Sequence, residues 1–68
     1  MEKITNFNKQ VKDRDIITLV NENETTKYEF IMDEPDDFSC AVLYNIDTNE
    51  MVWMQKSKIE NSNFYYGD

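Results

Sequence analysis

Carboxylates are the side chains of this sequence with the most chemical scope. Fourteen acidic residues face seven basic ones, and there is no histidine. Eight of the acids fall in three short polar stretches: Glu22 and Glu24; Asp33, Glu34, Asp36 and Asp37; Asp47 and Glu50. Paired carboxylates act as general acid and base when their surroundings push the two pKa values apart. These pairs lie in solvated loops with nothing apolar beside them to do so. Without histidine, the usual general base and the commonest zinc ligand are missing. The run Asp33-Glu34-Pro35-Asp36-Asp37 lacks the alternating ligands, central Gly and distant Glu of an EF-hand loop, so no metal or cofactor is expected.

Nucleophilic chemistry fares no better. Cys40 has no histidine to activate it, and Ser39 and Ser57 lack a base. A single Cys cannot form an internal disulfide; set in an apolar strand, it reads as a small buried hydrophobe, which suits a reducing cytosol. A chain of 68 residues has little room for a substrate pocket. The expectation is a protein that is not an enzyme.

Binding is the chemistry left to the acids. The net charge of −7 opposes direct attraction to nucleic acid or anionic membrane. If hairpin loops share one end of a sheet, their carboxylates could imitate phosphates and occupy a basic cleft on another protein. Solvated loops that keep a small protein soluble are the plainer reading. Trp53 is the other candidate: with Ala41, Leu43 and Met51 it falls on the outer face of a predicted hairpin, where it would form an anchor patch unless the sheet curls over it.

The elements that must position these residues centre on 38–55. Alternation puts Phe38, Cys40, Val42, Tyr44 and Ile46 on one face of a strand and Ser39, Ala41, Leu43 and Asn45 on the other. The first set is taken as core. Ile46-Asp47-Thr48-Asn49 supplies a turn, with Asn49 able to adopt positive φ. Leu43 is then expected opposite Trp53, and Val42 opposite Met54; a slip of one residue would exchange the faces.

Upstream, residues 1–14 place Ile4, Phe7 and Val11 at helical spacing with Thr5 as N-cap, or else form an arm pinned on the sheet. Residues 15–21 read as a strand. Residues 26–32 alternate Tyr28, Phe30 and Met32 inward against Lys27 and Glu29 outward, with Ile31 the exception. Residues 33–37 should be an exposed loop, since Pro35 cannot donate to a ladder. Lys56-Ser57-Lys58 suggests one helical turn, and 59–66 a last strand or, at Phe64-Tyr65-Tyr66, a recognition tail.

The fold class is therefore all-β with a short N-terminal helix, a small antiparallel meander of four to five strands, by layout an SH3-like barrel. It forms one domain over 1–68, with a helix or arm over 1–14 and the sheet over 15–66. No run reaches the length of a membrane span and the first residues are no secretory leader, so a cytoplasmic location is expected. In general character the chain resembles the small proteins of phages and mobile elements, many of which inhibit host nucleases or other nucleic-acid-binding proteins. It is expected to occupy the basic surface of a protein partner through Glu22, Glu24, Asp33, Glu34, Asp36, Asp37, Asp47, Glu50 and Trp53. An SH3-like peptide module built on Trp53, and an oligomeric protein that sequesters a small molecule, are the alternatives. Pairing of two copies would add buried area to so small a domain.

Overall fold

A computed structural model describes residues 1–67. The chain runs β1 (Glu2–Lys3), α1 (Phe7–Gln10), β2 (Ile16–Val20), β3 (Thr25–Glu34), β4 (Asp37–Asn45), β5 (Glu50–Gln55), α2 (Lys56–Glu60) and β6 (Phe64–Tyr66). All strand pairs are antiparallel, in the order β1-β6-β2-β3-β4-β5. The expected meander is thus present over β2 to β5. The sheet does not close: β1 and β5 are edges, each paired with one neighbour, so the expected closed barrel is absent. Among the described residues no helix is long and apolar enough to cross a membrane.

The β4–β5 hairpin is one residue out of the expected register. Its loop holds four residues, and the pair Asn45–Glu50 closes it, with the Asn49 amide donating to the Asn45 carbonyl at 2.8 Å. The Asn45 side-chain oxygen accepts from the amides of Asp47 and Thr48, and Asn49 takes the left-handed conformation at φ 61°. Tyr44 therefore faces Met51, Leu43 faces Val52, Val42 faces Trp53, and Ala41 faces Met54.

The faces of β4 exchange accordingly. Ala41 and Leu43 join the core, with Val52 and Met54 packed against it from β5. Of the residues expected inside, Phe38 and Ile46 are exposed, Cys40 and Tyr44 are half-buried, and Val42 is buried away from the main cluster. Both faces of β4 are apolar, so alternation alone did not choose between them. The core chose: Leu43 meets Phe30 across the ladder, whereas Phe38, Ser39 and Cys40 have no partner on β3.

A bulge corrects β3 as well. Phe30 pairs with Leu43 but Met32 pairs with Val42, leaving Ile31 as the extra residue. The bulge flips the phase, so Met32 lies on the outer face, exposed, and Asp33 takes the position opposite Ala41. The stretch 33–37 is not wholly loop, because only Pro35 and Asp36 form the turn between Glu34 and Asp37.

The terminal segments close the core. Ile4, Phe7 and Val11 are all buried as their spacing predicts, but the helix is a single turn. Its cap is Asn6 rather than Thr5; the Asn6 side chain accepts from the Lys9 amide, and Gln10 folds back to accept from the amides of Thr5 and Asn6. The arm before it is pinned too, with the Ile4 amide donating to Phe64. Ile59 belongs to α2, so the last strand starts later, at Phe64. Phe64-Tyr65-Tyr66 is that strand, between β1 and β2, and not a free tail. Of the six largest fully buried side chains, Phe7, Phe64, Ile4 and Ile59 come from outside the meander. At about 1.5–3 kcal/mol each, they make the terminal segments a main source of stability.

Candidate functional site

The meander decides where the acids go. The turns after β2 and β4 share one end of the sheet, and the turn after β3 lies at the other, because successive antiparallel strands reverse direction. β3 has ten residues and so extends over about 33 Å. Glu22, Glu24, Asp47 and Glu50 therefore sit at one end, and Asp33, Glu34, Asp36 and Asp37 at the other. They do not form a single cluster.

Asp33 is committed to the fold. Its Oδ1 lies 2.9 Å from the Lys56 Nζ, which also donates to the Asn8 Oδ1 at 2.9 Å and stands 5.7 Å over the Phe7 ring. Lys56 is only 8% exposed, and its buried ammonium is held by Asp33, Asn8 and the face of the Phe7 ring. Beside this pair a broad open groove of about 470 Å³ is lined by Phe7, Val11, Phe30, Asp13 and Asp33.

Asp36 and Asp37 are exposed at the tip, with the half-buried Glu34 beside them. Asp37 accepts from the Ser39 hydroxyl at 2.6 Å, the Ser39 amide at 3.0 Å and, weakly, the Cys40 thiol at 3.7 Å. The Ser39 hydroxyl, then its amide, hold the Asp37 carboxyl below its ordinary value. Glu34 accepts from the Asp36 amide. Cys40 thus lies half-buried beside an acid at the end of β4, not in the core as its strand position suggested.

Trp53 stands on the outer face of the sheet, 61% exposed. Its neighbours are not Ala41 and Leu43, which the register turns inward. Across β3, β4 and β5 runs the row Met32, Val42, Trp53, and beside it the row Glu29, Tyr44, Met51. Val42, in the middle, is only 2% exposed because its cross-strand partners flank it on both sides. Met32 and Met51 are exposed, and Phe38 projects at the bulged end of β4, 70% exposed. Glu29 is tied to Arg14 at 3.3 Å. The result is an apolar sheet face bounded at one end by Glu34, Asp36 and Asp37 and at the other by Asp47 and Glu50.

Met32, Val42 and Phe38 escaped sequence reasoning. The signal for Met32 was Ile31, the one residue that broke the alternation of β3 and marks the bulge that turns Met32 outward; Val42 and Phe38 had no such signal, because both faces of β4 are apolar. Among the described residues no group of His, Cys, Asp and Glu is arranged to hold a metal ion.

Fold and surface together define a small open-sheet antiparallel β protein with one exposed aromatic and methionine-bearing face. Comparison of the chain with protein-family models, with curated proteins and with solved structures finds no match in any of the three.

Proposed function

We propose that the protein is a non-enzymatic binding protein that occupies a partner's surface with the outer face of β3, β4 and β5. The observation that carries this reading is the unbroken row Met32–Val42–Trp53 with its exposed Trp53. The exposed Trp53 offers large contact area at little side-chain entropic cost, and the flexible methionines beside it can adapt to a partner's contour. A buried tryptophan anchor typically dominates such an interface. The acids at both ends supply charge without filling the centre, which is the arrangement of an apolar core with a polar rim. The complementary partner is a protein with an apolar patch bordered by Lys and Arg, such as the basic cleft of a nucleic-acid-binding protein or nuclease, which this protein would block. The meander followed by a helical turn and a returning last strand supports an SH3-like layout for that role, left open at β5.

The test is capture of a partner from the source cell by the wild-type chain, followed by affinity measurements over a salt series. Trp53→Ala should weaken binding by about thirtyfold or more, the effect of removing an interface anchor. Neutralising Glu34, Asp36 and Asp37 together should weaken it at low salt and matter little at high salt, since screening erases their contribution. Asp33 is left intact because it holds Lys56. A partner bound equally well by Trp53→Ala would refute the assignment of this face.

A further inference from the structure

The two edges of the sheet are unlike. β1 has two residues and offers almost no ladder to another strand. β5 has six, Glu50–Gln55, with no Pro, no Lys and no bulge in its pairing with β4. Those are among the devices by which proteins blunt an open edge, and the one charged side chain of β5, Glu50, stands at its first position. Its inner-face residues Val52 and Met54 pack on the core yet remain only partly buried.

We infer that β5 is the contact between two copies of this chain, paired antiparallel about a two-fold axis at Trp53. Keeping like faces together allows the axis to fall on Val52 or on Trp53. An axis at Val52 would put the Glu50 carboxylate opposite Met54 of the second copy. An axis at Trp53 sets Trp53 against Trp53, Val52 against Met54 and Met51 against Gln55, with no charge facing an apolar side chain. Charge favours the same pairing. The edge is acidic where it begins, at Asp47 and Glu50, and carries the exposed Lys58 just past its end, Lys56 being buried and paired with Asp33. Antiparallel pairing brings the acidic start of one copy toward the Lys58 end of the other. Glu50 and Lys58 are both exposed. A 68-residue domain also gains more than a large one from extra buried surface. The paired sheet would bury Val52 and Met54 and join the two outer faces into one platform. This inference does not rest on the partner-binding role.

Sedimentation equilibrium of the purified chain alone tests it, across concentrations from low micromolar to millimolar. A monomer–dimer equilibrium is expected. Trp53→Lys should raise the dissociation constant about thirtyfold or more, because two like charges would meet on the axis. Glu50→Lys should raise it about fivefold, and adding Lys58→Glu should restore it. These residues are exposed, and unchanged circular dichroism and urea unfolding at concentrations where every variant is monomeric would show that folding is intact. A chain that stays monomeric throughout, or a dimer indifferent to Trp53→Lys and Glu50→Lys, overturns the inference. The measurement needs no partner, so its failure would leave the proposed function standing, and the reverse also holds.

Discussion

The hairpin that presents Trp53 turns through Asn49, and the contribution of that residue can be measured. Asn49 sits at φ 61°, and its side-chain oxygen accepts from the Tyr44 hydroxyl at 2.6 Å. An Ala at this position would carry a Cβ into the left-handed region at a cost of about 1 kcal/mol. It would also lose the Tyr44 hydrogen bond, worth about 0.5–1 kcal/mol at an exposed site. Asn49→Ala should therefore destabilise by about 1.5–2 kcal/mol. Asn49→Gly relieves the backbone and loses only the hydrogen bond, with a small addition from the freer unfolded chain, for about 1 kcal/mol in total. Tyr44→Phe isolates the hydrogen bond and should cost about 0.5–1 kcal/mol. Thermal unfolding followed by circular dichroism resolves these differences, since 1 kcal/mol shifts the midpoint of a domain this size by about 4–8 °C. Acrylamide quenching of the single tryptophan reports whether it stays outside. Equal stabilities for Asn49→Ala and Asn49→Gly would refute the claim that backbone conformation at Asn49 contributes to the turn.

Two further predictions follow from the ends of β3 and β4. Lys56→Ala, which removes about three methylenes packed near Phe7, should cost about 2 kcal/mol, with Lys56→Met milder. A urea double-mutant cycle of Lys56→Met with Asp33→Asn should give a coupling of about 1 kcal/mol, because Asp33 is partly solvated; no coupling would mean that the Lys56 stem alone matters. Ser39→Ala should raise the Asp37 pKa toward its ordinary value of 3.8, as read by an NMR titration of the Asp37 carboxyl. The folded value is depressed, so the stabilisation from Asp37 is present above the unfolded carboxylate value and is lost as pH falls through the folded one. Ser39→Ala should flatten that acid limb, and an unmoved titration would exclude the hydroxyl as its cause.

Strand content was legible because alternation and β-branched runs are local. The strands of the meander, Tyr28 and Phe30 inside, Val52 and Met54 inside and positive φ at Asn49 all follow from a few neighbouring residues. The edges were not legible, because closure depends on whether β5 finds a partner across the sheet, and no local pattern encodes that. The facing of β4 failed for a sharper reason. Cys40, Val42 and Tyr44 are as apolar as Ala41 and Leu43, so either face could have been the inner one. The choice was made by a four-residue loop and by Leu43 meeting Phe30, one contact set by a turn and the other by a different strand.

The acids fail to converge for a topological reason, and that reason reshapes the functional argument. Three consecutive turns of a meander cannot share one end, so an acidic cluster drawn from all of them was excluded once β2 to β5 paired in chain order. The bulge at Ile31 then draws Asp33 out of the acidic set: by flipping the phase of β3 it brings Asp33 within 2.9 Å of Lys56, turning a surface charge into part of the attachment of α2. The same flip sends Met32 outward to Val42 and Trp53. One inserted residue therefore removes a carboxylate from the acidic tip and adds a methionine to the apolar face. The local chemistry of the chain moves from charge toward burial, which is why an aromatic-centred surface, rather than a purely electrostatic one, carries the proposed function.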